Sequence, residues 1–315
     1  MLFSATLSQM GFLFLLMAAG YALVKLRLVP EHSQTLLSIL EKYIFIPALV
    51  FGTFAENFTP DRLSQAWRLL ALSAVVLAVV IPLGLLSIKP CAKDRYTRNV
   101  YCYAMSFANF SFMGNAVVEA LFPELFMEYI LFGLMMWVFI YLWGIPSLLM
   151  DEGKTSGGVL SKLKNLLNPM FICMLIGMAV GLAGIKVPQF ILNAVNAAKG
   201  CMSPAAMMLT GMAIAEIDLA KVLKKGSIYY ITALRLLVFP LLFLAVTAIF
   251  GAAWDRVFII CATITLAMPI GMNTIVIPSA YGRDTTLASG MVLVSHVLSC
   301  ATIPVIFWLM EKVIG

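Results

Sequence analysis

The sequence predicts an all-α polytopic membrane protein of ten transmembrane helices in two inverted five-helix repeats, with helices 4 and 9 broken where they cross. Three observations predict it. Of 315 residues, 62% are hydrophobic and 11% are charged, whereas a soluble domain carries about 25% charged residues. Apolar runs long enough to cross a bilayer recur from end to end. Prolines in the first half reappear in the second at a nearly constant interval.

The runs come first. They cover 5–25, 34–56, 65–88, 99–122, 125–150, 167–184, 189–216, 227–250, 254–281 and 285–310. A membrane helix needs about 20 apolar residues, and backbone left unpaired in lipid costs several kcal/mol per group, so such runs must be helices. The first run is uncharged from Ala5 to Val24, and Lys25 follows it. A signal peptide has its charge first and a shorter apolar stretch, so this run reads as a retained span. The most polar connection, Asp151 to Lys164 with Gly153, Ser156, Gly157 and Gly158, sits at mid-chain. It divides the chain into repeat 1 (1–150), a cytoplasmic linker (151–166) and repeat 2 (167–315).

Basic residues orient these spans. With the amino terminus outside, 13 of the 21 Lys and Arg fall in cytoplasmic loops, among them Lys89, Lys93, Arg95, Arg98, Lys154, Lys162, Lys164, Lys224 and Lys225. Five fall outside: Arg62, Arg68, Lys186, Arg256 and Lys312. The asymmetry follows the positive-inside rule and places both termini outside the cytoplasmic membrane. It also accounts for the basic charge without a nucleic-acid partner.

The repeat rests on the prolines. Pro30/Pro188, Pro82/Pro240 and Pro146/Pro304 are 158 apart, and Pro47/Pro204 are 157 apart. Lys42 stands five residues before Pro47, and Lys199 stands five before Pro204. Proline bends a helix, so matched prolines predict matched bends. Five spans per half is an odd number, so the second half enters the membrane upside down. Inverted repeats mark secondary transporters, with the site at mid-membrane between broken helices.

The same interval selects the fourth and ninth spans. The fourth contains Asn109, Ser111, Gly114 and Asn115; the ninth contains Pro269, Gly271, Met272 and Asn273, and Asn115 and Asn273 are 158 apart. Glycine and proline loosen a helix, and asparagine offers donors and an acceptor to a ligand or to freed backbone. Asparagines that merely join helices are the competing reading.

At these residues the chain resembles the auxin efflux carrier family, which includes bacterial organic-anion permeases and plant PIN-type carriers. The resemblance rests on Asn109-x4-Gly114 followed by Ala120-Leu121-Phe122, and on Ala267-Met268-Pro269-x3-Asn273 with Tyr281-Gly282-x-Asp284. Ser295-x3-Ser299-x2-Thr302-x-Pro304 also fits. It implies a scaffold of spans 1, 2, 6 and 7, and a transport unit of spans 3–5 and 8–10 that moves in an elevator-like way. It implies a substrate site where spans 4 and 9 cross. Where the family often has Gly-x-Pro in span 4, this chain has Gly114-Asn115-Ala116.

Ionisable residues inside spans are expensive and tend to be functional. Arg235 has no counterpart, since Leu77 occupies its matched position. It either attracts a carboxylate or snorkels to the cytoplasmic face. Lys42 and Lys199 read as structural or interface residues, with Glu41 a neighbouring counter-charge. Glu119 reads as a proton carrier or as a carboxylate near the outer end of its span. His296 is a titratable candidate for proton or ion coupling, or a helix-packing histidine.

The function expected is transport of a small organic anion, a carboxylate or auxin-like acid. Other readings are an ion-coupled symporter or antiporter of another inverted-repeat family, and a membrane receptor or sensor. The expected partners are the bilayer, the anion and H+ or Na+ as coupling ion, with a homodimer one arrangement open to it. No enzyme is expected, since neither H-E-x-x-H nor G-x-S-x-G occurs. The six cysteines form no C-x-x-C pair, so no metal and no cofactor is called for.

Overall fold

A computed structural model describes residues 2–30, 33–89, 91, 94–150, 169–216, 223–251, 254–280 and 283–315. The linker 151–166 and the Tyr281-Gly282 pair lie outside the described residues. Among the described residues the chain is helical, with one isolated antiparallel bridge. The segments are α1 (Leu2–Lys25), α2 (Ser33–Asn57), α3 (Pro60–Ser87), α4 (Arg95–Ser106), α5 (Phe110–Leu121) and α6 (Pro123–Leu149). They continue with α7 (Pro169–Leu182), α8 (Gln189–Ala215), α9 (Gly226–Phe250), α10 (Arg256–Ala267), α11 (Asn273–Ala280) and α12 (Thr286–Ile314). Six of these are long and apolar enough to cross a membrane: α1, α2, α3, α6, α9 and α12. Helices α5, α7 and α10 are shorter apolar segments. The chain is a polytopic all-α membrane protein.

The helices sort into two groups. In one, α1 packs along α8, and α2 packs along α7 and α8. In the other, α3 packs on α4 and α6, while α9 and α10 pack on α12. The first group presents apolar side chains outward, such as Leu15 at 70% exposure and Phe190 at 74%, as a lipid-facing wall does. The second encloses α4 and α10. Every residue from Phe258 to Ala267 and from Val100 to Ser106 is buried, which marks helices surrounded by protein on all sides.

The first group is two-fold symmetric down to individual contacts. A side chain on Gly20 of α1 would fall on the Met208 backbone of α8, and one on Gly177 of α7 would fall on the Phe51 backbone of α2. Gly177 is Gly20 plus 157, and Met208 is Phe51 plus 157, so exchanging the halves turns one contact into the other. The ends of α1 and α7 match too. Leu28 N–H donates to the Leu23 carbonyl at 2.9 Å, and Ile185 N–H to the Val180 carbonyl at 3.1 Å. Each closure needs one left-handed residue. These are Arg27 (φ 56°) and Gly184 (φ 63°), again 157 apart.

Matched prolines do not give matched bends. Wide turns, in which each amide reaches back five residues, occupy Glu41–Phe45, Ile140–Leu149 and Leu234–Val238. They adjoin or contain Pro47, Pro146 and Pro240. The partners Pro204, Pro82 and Pro304 lie inside regular helix. A wide turn is one way to accommodate the bond a proline removes, and each of these three pairs uses it once; Pro30 and Pro188 lie outside helices.

Candidate functional site

Both interrupted helices open on an aspartate. The Asp94 carboxylate accepts from Thr97 N–H at 2.8 Å to cap α4, and Asp255 accepts from Val257 N–H at 2.9 Å to cap α10. The Thr97 amide holds the Asp94 carboxyl below its usual range. These caps are 161 apart, as are the last residues of the two half-helices, Ser106 and Ala267. The helices then stop and cross. Ala108 and Ile270 form the antiparallel bridge, and Asn109 N–H donates to the Pro269 carbonyl at 2.7 Å. Pro269 has no amide hydrogen to give. Gly271 permits the approach, since a side chain there would stand 3.2 Å from the Ala108 carbonyl oxygen.

Beyond the crossing the halves differ. Asn273 begins α11 directly. In the first half a wide turn, Phe110–Gly114, intervenes before regular helix resumes at Asn115. Eight residues separate Ser106 from Asn115, but five separate Ala267 from Asn273, so the first break is three residues longer. Tyr129 of α6 fixes the added turn by donating to the Phe110 carbonyl at 2.9 Å. Gly114 leaves room for that hydroxyl. Asn115 and Asn273 therefore open equivalent helices, but Asn115 stands one turn away from the crossing.

Two adjoining clefts follow. One, at the crossing, is lined by Asn109, Ser111, Gly271, Met272 and Asn273 with Tyr103 and Trp137. The other holds Asn115 and Ser111 against Ile46 and Val50 of α2 and Met170 and Met174 of α7. It lies between the two helix groups, and Ser111 and Trp137 border both clefts. A much larger hollow lies elsewhere, an apolar groove between α3 and α9 with the Arg68–Asp255 pair at its rim. It has little polar lining to orient a substrate.

Four helix ends meet at the crossing: the carboxyl ends of α4 and α10, and the amino ends of α5 and α11. Arg235 serves the first pair. It is 1% exposed and sits in the wide turn of α9. Its guanidinium donates to the carbonyls of Met105 (3.1 Å), Thr265 (3.0 Å) and Met268 (3.4 Å). A cation at helix carboxyl ends offsets the partial negative charge there. Full burial contradicts snorkelling, and its donors face carbonyls rather than either cleft.

The other expected residues fall in distinct places. Asn273 donates to the Tyr103 hydroxyl at 3.1 Å. His296 of α12 is 1% exposed and meets the Asn109 carboxamide at 2.9 Å. Ser295 accepts from Ile270 N–H at 3.1 Å and so braces the second break. Glu119 pairs with Lys199 at 3.5 Å, both about one-third exposed, tying α5 to α8. Lys42 is exposed and lies over the Tyr43 ring. Glu41 is no counter-charge for it. Its carboxylate is buried, and neither oxygen has a hydrogen-bond partner among the described residues. Tyr103, Tyr129 and Trp137 escaped the sequence reading because aromatic residues in apolar runs look alike until the fold places them.

No curated protein matches the chain. A family model described as membrane transport protein matches it twice, over residues 5–159 and 157–307. The chain belongs to this membrane transport family, that of the auxin efflux carriers.

Proposed function

We propose that the protein is a secondary carrier of a small organic anion, with the substrate held at the crossing of α4/α5 and α10/α11. The observation that carries this is the division of labour among the four helix ends. Arg235 covers the carboxyl ends, while the amino ends of α5 and α11 remain beside Asn109, Ser111 and Asn273. Amino ends and amide donors favour negative charge. The α1, α2, α7, α8 group serves as the scaffold, its backbones locked at Gly20, Gly177 and Gly211. The remaining helices move past it in an elevator-like way, with the cleft around Asn115 at the sliding boundary. The two halves act as inverted repeats, and the positive-inside bias supports an orientation in the cytoplasmic membrane with both termini outside.

A thermal-shift screen of mono- and dicarboxylates on the purified protein tests the reading, because a ligand stabilises the state it binds. At least one acid should raise the Tm, and the Asn109→Ala/Asn273→Ala double variant should lose that rise. A screen in which no acid acts, or in which the double variant responds equally, sinks it.

A further inference from the structure

The Asn109 carboxamide sits between two environments. Its Nδ2 reaches His296 Nε2, while its Oδ1 is buried at the crossing without a hydrogen-bond partner among the described residues. The histidine fixes this orientation. His296 Nδ1 lies 2.8 Å from the Val292 carbonyl, which can only accept, so Nδ1 carries the proton. In the neutral ring Nε2 is then the acceptor, and Asn109 must offer it the amide nitrogen. The consequence is an acceptor oxygen on the side where an anion would bind.

We propose that His296 and Asn109 form a proton site coupled to the substrate site. A proton added at Nε2 turns that nitrogen into a donor. The Asn109 carboxamide then rotates, Oδ1 accepts from Nε2–H, and Nδ2 points its two donors into the crossing beside Ser111 and Asn273. Protonation thus replaces an acceptor with donors and adds one positive charge. Anion and proton each favour the other's binding, which is reciprocal coupling. The direction of the coupling rests on the anion reading above; the switch itself does not.

Among the described residues on the neighbouring helices, the surroundings leave the counter-charge to the substrate. The titratable side chains on helices packed against α12 are Tyr21 and Lys25 (α1), Lys199 and Cys201 (α8), Tyr229, Tyr230 and Arg235 (α9), and Arg256 and Cys261 (α10). Helix α5 adds Glu119, α4 adds Tyr103, and α12 itself carries Cys300, Glu311 and Lys312. Glu119 is engaged by Lys199, and Arg235 by three carbonyls. Among the described residues the His296 ring has Asn109 and Val292 as its hydrogen-bond partners.

The test is NMR of the full chain in nanodiscs, labelled with nitrogen-15 at histidine and asparagine, from about pH 8 to about pH 5. The chain has two histidines, so His32→Gln isolates the His296 ring. The expected result is a neutral ring protonated at Nδ1. On acidification the ring charges, and the Asn109 carboxamide resonances move in the same pH range. Excess succinate or benzoate should then raise the ratio of charged to neutral ring about tenfold at fixed pH, and Asn109→Ala should remove that rise. A proton on Nε2 in the neutral ring, a ring that never charges, or an Asn109 signal that ignores the charging overturns the proposal. An intact switch that neither acid influences upholds the proton site and counts against the anion reading.

Discussion

The scaffold contacts and the helix crossing obey different rules. At the scaffold, exchanging the halves carries Gly20 on Met208 into Gly177 on Phe51, and carries the Arg27 turn into the Gly184 turn. At the crossing the exchange fails. The first break is three residues longer, Pro269 has no partner, and Arg235 is matched by Leu77. Symmetry survives where backbones pack on backbones, because each half must solve the same steric problem. It lapses at the crossing, where one arginine serves the carboxyl ends of both half-helices and one histidine meets Asn109.

The largest effects should come from breaking the symmetric region. Gly20→Leu and Gly177→Leu push a side chain into backbone and should each cost about 3 kcal/mol or more, read as loss of folded protein in detergent. Gly11→Leu and Gly200→Leu, whose added atoms meet open space, should leave the melting temperature nearly unchanged. Unequal tolerance at positions 20 and 177 would break the symmetry claim.

Next in size is the asymmetric arginine. Arg235→Met strands three buried carbonyls and should lower stability by about 3 kcal/mol, given charge-assisted bonds of ~1.5–3 kcal/mol that do not add fully. Arg235→Lys should recover part of this, since one ammonium cannot reach all three as the fork does. Intact stability with only a weaker anion affinity would place Arg235 in direct contact with substrate instead.

Smaller still, Arg27→Gly should stabilise the protein by about 1 kcal/mol by relieving a left-handed arginine. The same change makes the two helix ends chemically alike. A loss of stability would show that the Arg27 side chain has a role that Gly184 lacks.

The smallest effect concerns acid. Asp94 has a depressed carboxyl, so its contribution is present above the unfolded value near about pH 4 and fades as pH falls below it. Asp94→Asn keeps a capping oxygen and removes the charge. Its denaturation midpoint should lie slightly below the wild type at neutral pH, converge with it below about pH 4, and depend less on pH there.

Much of the fold was legible in the sequence, because lipid forces helices and glycine, proline and charge mark their limits. The breaks were legible from Gly271 and Pro269, but the interval paired Asn115 with Asn273, whereas Asn109 stands with Asn273 at the crossing because the first break is longer. A single interval could not show that the register moves from 157 in the scaffold to 161 across α4 and returns to 158 at Asn115. Only the Asp94 and Asp255 caps signal it, and capping aspartates look like any loop charge. The destination of Arg235 was hidden for a related reason. A cation in an apolar run calls for negative charge, and here backbone carbonyls supply it rather than a carboxylate. Matched prolines misled, since a proline fixes where a helix is weakened and not how the lost bond is replaced.

The central claim is that an organic anion is held at the crossing. Uptake by proteoliposomes of an acid that stabilises the protein, in wild type and Asn273→Ala, tests it most directly. Among the described residues the Asn273 side chain makes one neutral hydrogen bond, to Tyr103, so its loss should cost about 1 kcal/mol of stability. Uptake should nevertheless fall at least ~10-fold, the cost of about 1.4 kcal/mol in substrate binding. Wild-type rates in a folded Asn273→Ala protein would contradict the account and move the site away from the crossing.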